Sequence, residues 1–314
     1  MFTRILQAIA DHDTIVIHRH TNPDGDALGS QIGLKHIILE NFPDKQVFMV
    51  GDEARRYSFM DDSVMDTVPD DVFPDALCII LDTSAKSLIS DNRYTKAKCT
   101  VRMDHHLFCE TIADIEAVDS SFESCCGLIA HFAMECNLRL NPLAAKSLYT
   151  GMVTDSGRFR YDSTTSRTFA LASFLMTQPF DISSIYSKLY ANDFAMVRLR
   201  AQFVLKIRFT PKNVAYIFTP KSELKSYNAD FFSISRGMVS TMSDIQGVDI
   251  WANFTESTGG IVCELRSNKY NINPIAVKDG GGGHAKASGA TLKNKIEMEA
   301  MLRDLDELTE GEIE

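Results

Sequence analysis

Apolar residues along this chain follow two alternating periods. Short, nearly continuous apolar runs at residues 14–18 (TIVIH), 46–50 (QVFMV), 76–81 (ALCIIL) and 99–103 (CTVRM) read as buried strands. Between the first two lies a helical pattern over residues 28–40, with Ile32, Leu34, Ile37, Ile38 and Leu39 on its apolar side. Strands alternating with helices predict an α/β fold, a mostly parallel sheet covered by helices on both faces. Helical spacing then runs through residues 127–137, 142–153, 165–177 and 181–207, broken at Pro179. A second, smaller α/β region opens near residue 207. It holds strands at 214–218, 250–254 and 261–265, the last two joined by a turn at 257–260. A short helix at 272–278, a glycine run at 280–283 and a charged terminal helix follow, with residues 307–314 as a frayed acidic end. The expected division is a first domain at 1–187, a linker helix at 188–207 and a second domain at 208–314.

Length and composition suit this picture. A chain of 314 residues, 45% hydrophobic and 24% charged, can bury two cores. No apolar run approaches the roughly 20 residues of a membrane span, and residues 1–11 read as an amphipathic helix rather than a signal peptide. The seven cysteines show no Cys-x-x-Cys spacing. Reduced thiols and a cytoplasmic location are the expectation. A formal net charge of -10 argues against long duplex nucleic acid as partner, but leaves room for a small phosphorylated ligand held by a metal or a few focused cations.

The chemistry-bearing residues fall where strands and helices end. His20, Asp24 and Asp26 follow the first strand, Asp82 follows the third, Asp104, His105 and His106 follow the fourth, and Asp155 ends an apolar helical run. Each carboxylate has an ordinary alternative role as a helix cap or turn residue. Together they form a set of carboxylates and imidazoles with no thiolate, which suits Mn²⁺, with Mg²⁺, Fe²⁺ or Co²⁺ as alternatives, better than structural zinc. So many ligands are more than one ion needs, and a two-ion hydrolase site sharing one carboxylate fits them. In the second region, Arg266 suits bidentate phosphate binding, and the backbone of the glycine run before His284 suits an anion-binding nest.

His20-x-x-x-Asp24-x-Asp26, Asp82-Thr-Ser, Asp104-His105-His106 and Thr154-Asp155-Ser-Gly157 resemble the motifs of the DHH phosphoesterase superfamily. Arg266-Ser267 and the run from Gly280 through His284 to Ser288-Gly289 resemble its DHHA1 domain. The chain is most similar to the nanoRNase/pAp phosphatase branch. The resemblance implies two Mn²⁺ ions, one on His20, Asp24 and Asp82, the other on Asp26, Asp82, His105 and Asp155. Asp82 would bridge them, His106 would act beside the scissile phosphate, and Asp104 would orient the histidines. It further implies substrate binding by Arg266, Ser267, Gly282, Gly283, His284 and Ser288, across a cleft between a DHH catalytic domain and a DHHA1 substrate domain. The implied activity is hydrolysis of short oligoribonucleotides to mononucleotides, with conversion of 3′-phosphoadenosine 5′-phosphate (pAp) to AMP as a second reaction. The alternative is a cyclic di-AMP or pApA phosphodiesterase. The partners would be these small nucleotides, and the protein a monomer or homodimer.

Overall fold

The computed structural model describes residues 2–191 and 193–310. Two units are present, Met1–Ala191 and Asn192–Glu314. The first begins with α1 (Phe2–Asp11), β1 (Thr14–His18), α2 (Gly25–Asn41), β2 (Gln46–Met49), β3 (Leu77–Leu81), β4 (Cys99–Asp104) and β5 (Ile115–Val118). The five strands form one sheet in the order β2-β1-β3-β4-β5, every pair parallel. Both faces are buried, which is why β1 and β3 read as unbroken apolar runs rather than alternating ones. The unit ends with α3 (Cys125–Glu135), α4 (Pro142–Asp155), α5 (Ser166–Leu175) and α6 (Ile182–Tyr190).

Helical cover lies on both faces, unequally. Ile15, Ile17, Leu77, Ile79 and Val101 join the α-helices in the larger core. Val16, Cys78 and Ile80 face a smaller core closed by residues such as Phe73 and Tyr94 from 3₁₀ turns. Helices α2 and α4 pack with their backbones close together. A Cβ built at Gly151 would lie 2.2 Å from Cys126 Sγ and 3.0 Å from Asp26 Oδ1, so only glycine lets α4 approach there.

His18 belongs to the smaller core. Its ring lies 6.0 Å from both the Phe73 and Tyr94 rings, and Nδ1 is 3.2 Å from the Asp91 carbonyl. Burial lowers its pKa from 6.5 to about 4, with Asp91 opposing. The unfolded chain therefore takes up a proton near pH 6.5 that the folded chain resists until about pH 4. The stabilisation is full above pH 6.5 and is lost as pH falls through that window, by roughly 3 kcal/mol. Urea titrations at several pH values are expected to show this acid limb, and His18→Leu to flatten it. An unchanged limb in the variant would assign it to other groups.

The second unit contains α7 (Phe194–Val204), β6 (Arg208–Phe209), β7 (Ala215–Thr219), α8 (Phe231–Ser235), β8 (Ile250–Ser257), β9 (Gly260–Ser267), α9 (Asn273–Lys278), β10 (Gly282–His284), β11 (Ala287–Leu292) and α10 (Lys295–Glu310). Its sheet runs β10-β11-β9-β8-β7-β6, antiparallel except for the β7–β8 pair. Helix α7, read from sequence as a linker, contributes buried Leu199 and Phe203 to a core with Ile217, Met238 and Trp251. The spacing of four between those two residues puts both on one face, and that face is packed. Residues 307–310 of the acidic end belong to α10, and 311–314 lie outside the described residues. Among the described residues, no helix is long and apolar enough to cross a membrane.

Candidate metal centre

The strand order of the first sheet reverses direction at β1, so the carboxyl ends of β1, β3 and β4 open side by side at a switch point, a usual ligand position in α/β sheets. Each end delivers part of one cluster. Past β1 the chain reaches His20, whose Nδ1 meets the Thr21 carbonyl at 2.7 Å and whose Nε2 is thereby aimed at the carboxylates. Asp24 caps α2, its Oδ1 accepting from the backbone N–H of Asp26 and Ala27. Asp26 lies in the first turn of α2, fully buried. Its two oxygens accept from the N–H groups of Cys125 and Cys126 at 2.7 and 2.9 Å, the unpaired donors at the start of α3. Asp155 ends α4.

Asp82 follows β3 directly and caps no helix, since the next turn, Lys86–Leu88, begins after Ala85. Its φ of +49° is unusual for a non-glycine residue. This buried carboxylate stands between the other groups. Oδ2 lies 3.4 Å from His20 Nε2, while Oδ1 lies 3.5 Å from His105 Nε2 and has no hydrogen-bond partner. His105 Nε2 is also 3.4 Å from Asp155 Oδ2 and 3.7 Å from Asp26 Oδ2, and His20 Nε2 is 3.9 Å from Asp24 Oδ1. Every residue named from the sequence as a candidate metal ligand is thus brought to one place. Three overlapping groups each suit a cation: His20, Asp24 and Asp82; Asp26, His105 and Asp155; and Asp82 with both histidines of the DHH motif.

These spacings are longer than most good hydrogen bonds. Two ligand atoms each about 2.1 Å from a shared ion lie about 3–4 Å apart, so the distances and the unpaired Asp82 Oδ1 fit a metal better than a hydrogen-bond network. The electrostatics agree. Burial would lower the pKa of His20 and His105, but Asp82 and its neighbouring carboxylates outweigh it and raise them to about 9 and about 10. Burial, with Asp82 and Asp24 against His105, lifts Asp155 to about 6. Burial, Asp82 and Asp155 push Asp26 upward, against the two N–H bonds that favour its ionised form. For Asp82, the close imidazoles of His105 and His20 outweigh burial and hold it well below the usual carboxylate range. This is a concentration of negative charge that protonated histidines neutralise and that a divalent cation would neutralise in their place.

His106 is partly exposed and differently held. Its Nδ1 lies 2.7 Å from Asp104 Oδ1, so the ring donates there and Nε2 keeps the exchangeable position. The Asp104 bond raises its pKa. Asp104 is fully buried and fixed from behind by Arg102, whose Nη2 lies 2.6 Å from Oδ2 and whose Nη1 donates to the Glu110 carbonyl. Asp104 therefore orients one histidine, His106; the Nδ1 of His105 faces the Phe122 carbonyl instead. The sequence reading missed Arg102. Its signal was a lone charge inside an apolar strand. Arg19 was missed too: buried after β1, it donates to Gln31 and to the His20 carbonyl and steadies that loop.

In the second unit, Arg266 lies on β9, donating to the Glu264 carboxylate at 3.1 Å and to the Leu265 carbonyl at 2.8 Å. The Ser267 hydroxyl is engaged locally, donating to the Asp249 carbonyl and accepting from the N–H groups of Lys269 and Tyr270. The glycine run is not a loose nest. Gly282, Gly283 and His284 form edge strand β10, paired with β11, and Ser288 Oγ donates to the His284 carbonyl within the hairpin. Gly283 has φ +134°, and a Cβ at Gly281 would come within 2.1 Å of the Gly289 carbonyl oxygen, so Gly281 and Gly283 serve close strand approach, while Gly280 and Gly282 have open space beside them.

Comparison with known proteins follows the same two-part layout. Residues 14–152 match the DHH family, N-terminal domain, and residues 230–311 match the DHHA1 domain. A probable bifunctional oligoribonuclease and PAP phosphatase NrnA from Streptococcus mutans is 36% identical over 308 residues, covering 98% of both chains. The chain belongs to the DHH/DHHA1 phosphoesterase superfamily. A second relative, the bifunctional oligoribonuclease and PAP phosphatase NrnA of Bacillus subtilis, is 33% identical over 311 residues, again with 98% of each chain covered. Among solved structures, an exopolyphosphatase-related protein from Bacteroides fragilis superposes with a TM-score of 0.84 at 26% identity, covering 99% of this chain and 97% of that one.

Proposed function

We propose that this phosphoesterase hydrolyses short oligoribonucleotides to mononucleotides and pAp to AMP, with two Mn²⁺ ions at the cluster around Asp82. The observation that carries the reading is the Asp82 carboxylate, with one oxygen beside His20 and the other beside His105. The mixed imidazole and carboxylate donors favour Mn²⁺. When bound, the ions would supply an activated water and neutralise the charge that builds on the phosphoryl oxygens. The chain supplies the rest. Asp104 and Arg102 hold the His106 ring, and Nε2 exchanges a proton with the leaving group or a phosphoryl oxygen. Arg266 contacts a second phosphate of the substrate. The full-length relatives named for oligoribonuclease and PAP phosphatase activity support this substrate class over cyclic di-AMP.

The test is the purified chain with Mn²⁺ against pAp, RNA di- to pentanucleotides, a 24-mer and cyclic di-AMP, repeated with Arg266→Ala. The wild type is expected to prefer short linear substrates. Arg266→Ala is expected to lose roughly ten- to hundredfold in kcat/KM on substrates with a terminal phosphate, and little on bis-p-nitrophenyl phosphate. Equal loss on both would move Arg266 into the metal centre or the fold. Cyclic di-AMP as the best substrate would overturn the assignment.

A further inference from the structure

Arg266 does not stand alone on its sheet face. Residues 264 and 266 of β9 point the same way. Their neighbours on β11 are Gly289 and Ala287, which add almost no bulk. On the other side, β8 carries Asn253, whose buried Nδ2 donates to the carbonyls of Ile234 and Ser235 at 2.8 and 2.6 Å and pins the end of α8 over the sheet. Arg236 follows immediately. Its Nε lies 3.2 Å from Glu264 Oε1, while Arg266 Nη2 lies 3.1 Å from Glu264 Oε2. One largely buried carboxylate thus holds two guanidiniums by separate oxygens. Each guanidinium has five N–H donors; among the described residues the terminal nitrogens of Arg236 make no hydrogen bond. One helical turn back, the Phe232 ring is 63% exposed with the Arg236 guanidinium 5.5 Å from its centre.

Two arginines, one shared carboxylate and an exposed aromatic ring leave a net positive, flat-sided spot on a chain of net charge -10. That combination matches a phosphorylated nucleotide, with charge for the phosphate and a π-face for the base. We propose that Arg236 and Phe232, positioned by Glu264, extend Arg266 into a subsite for a terminal nucleotide of the substrate, the phosphate lying across the two arginines and the base against Phe232. This rests on the reading that the substrates are nucleotides. The competing account is a structural clip, in which Arg236 merely fastens α8 to β9.

Binding of 5′-AMP, adenosine and ribose 5-phosphate to the full chain, measured calorimetrically in chelator so that no metal contributes, separates the two. Arg236→Ala is expected to weaken 5′-AMP and ribose 5-phosphate by about tenfold or more and to spare adenosine. Phe232→Ala should weaken 5′-AMP and adenosine by about tenfold and spare ribose 5-phosphate. Arg236→Lys should recover only part of the phosphate affinity, because it cannot share the phosphate as a planar fork. Thermal midpoints should not move. The subsite is overturned if the wild type binds none of the three, if both variants bind as wild type, or if Arg236→Ala weakens all three alike with a lowered midpoint. Mn²⁺-loaded turnover of an RNA dinucleotide keeps the two readings apart. Intact AMP binding without hydrolysis would sink the proposed activity and leave the subsite standing; hydrolysis with variants indistinguishable from wild type would sink the subsite alone.

Discussion

Asp82→Asn is expected to cut phosphoester hydrolysis on the order of a thousandfold or more while the chain stays folded. The change preserves shape and removes the charge that faces His20 on one side and His105 on the other. If both ions depend on that carboxylate, several kcal/mol of transition-state stabilisation go with it. Folding should survive for a local reason. The residue sits past the end of β3, at the edge of the apolar core, and its left-handed backbone is one that asparagine adopts more readily than most residues. Turnover of bis-p-nitrophenyl phosphate, metal content and circular dichroism together give the answer. A folded Asp82→Asn protein that turns over at near the wild-type rate would remove Asp82 from the bridging position.

Exhaustive chelation is expected to bring activity to background, and Mn²⁺ to restore it best among the common divalent ions, with two ions per chain by metal analysis. The reason is the charge cluster itself. Asp24, Asp26, Asp82 and Asp155 are crowded around His20, His105 and His106 in three overlapping groups. The metal-free chain should stay folded, since the sheet core is made of aliphatic residues, and its thermal midpoint should rise on Mn²⁺ addition because the ion binds the native state. Full activity with no metal bound would sink the two-ion reading, and a stoichiometry of one would reduce the centre to a single ion.

Much of the first unit is legible from sequence because buried parallel strands have a distinctive signature. The apolar runs of β1 and β3 are unbroken and that of β4 is interrupted only by Thr100 and Arg102, so the polar residues that end them had to lie at the edge of the sheet, where Asp82, His105 and His106 are found. Weaker signals failed. Strand β5 is only Ile-Glu-Ala-Val, too short and too mixed to stand out, and it was passed over. The glycine run reads as a loop because glycine usually marks one; here its second half forms a hairpin strand, and close backbone approach makes glycine necessary at Gly281 and Gly283. The helix read as a linker has apolar residues on more than one side, and only packing shows that Leu199 and Phe203 face a core.

Local pattern was enough to name the candidate metal-binding side chains and the element ends that carry them, because strand and helix periods are local properties of the backbone. Tertiary structure decided what those side chains do to one another. The N–H groups of Cys125 and Cys126 meet Asp26 from about a hundred positions away, Arg102 locks Asp104 onto His106, and Asn253 fastens α8 so that Arg236 reaches Glu264. No local pattern encodes such contacts, since they depend on which surfaces the folded chain brings within about 3 Å, and at that distance a charge, a donor or a missing methyl sets the chemistry.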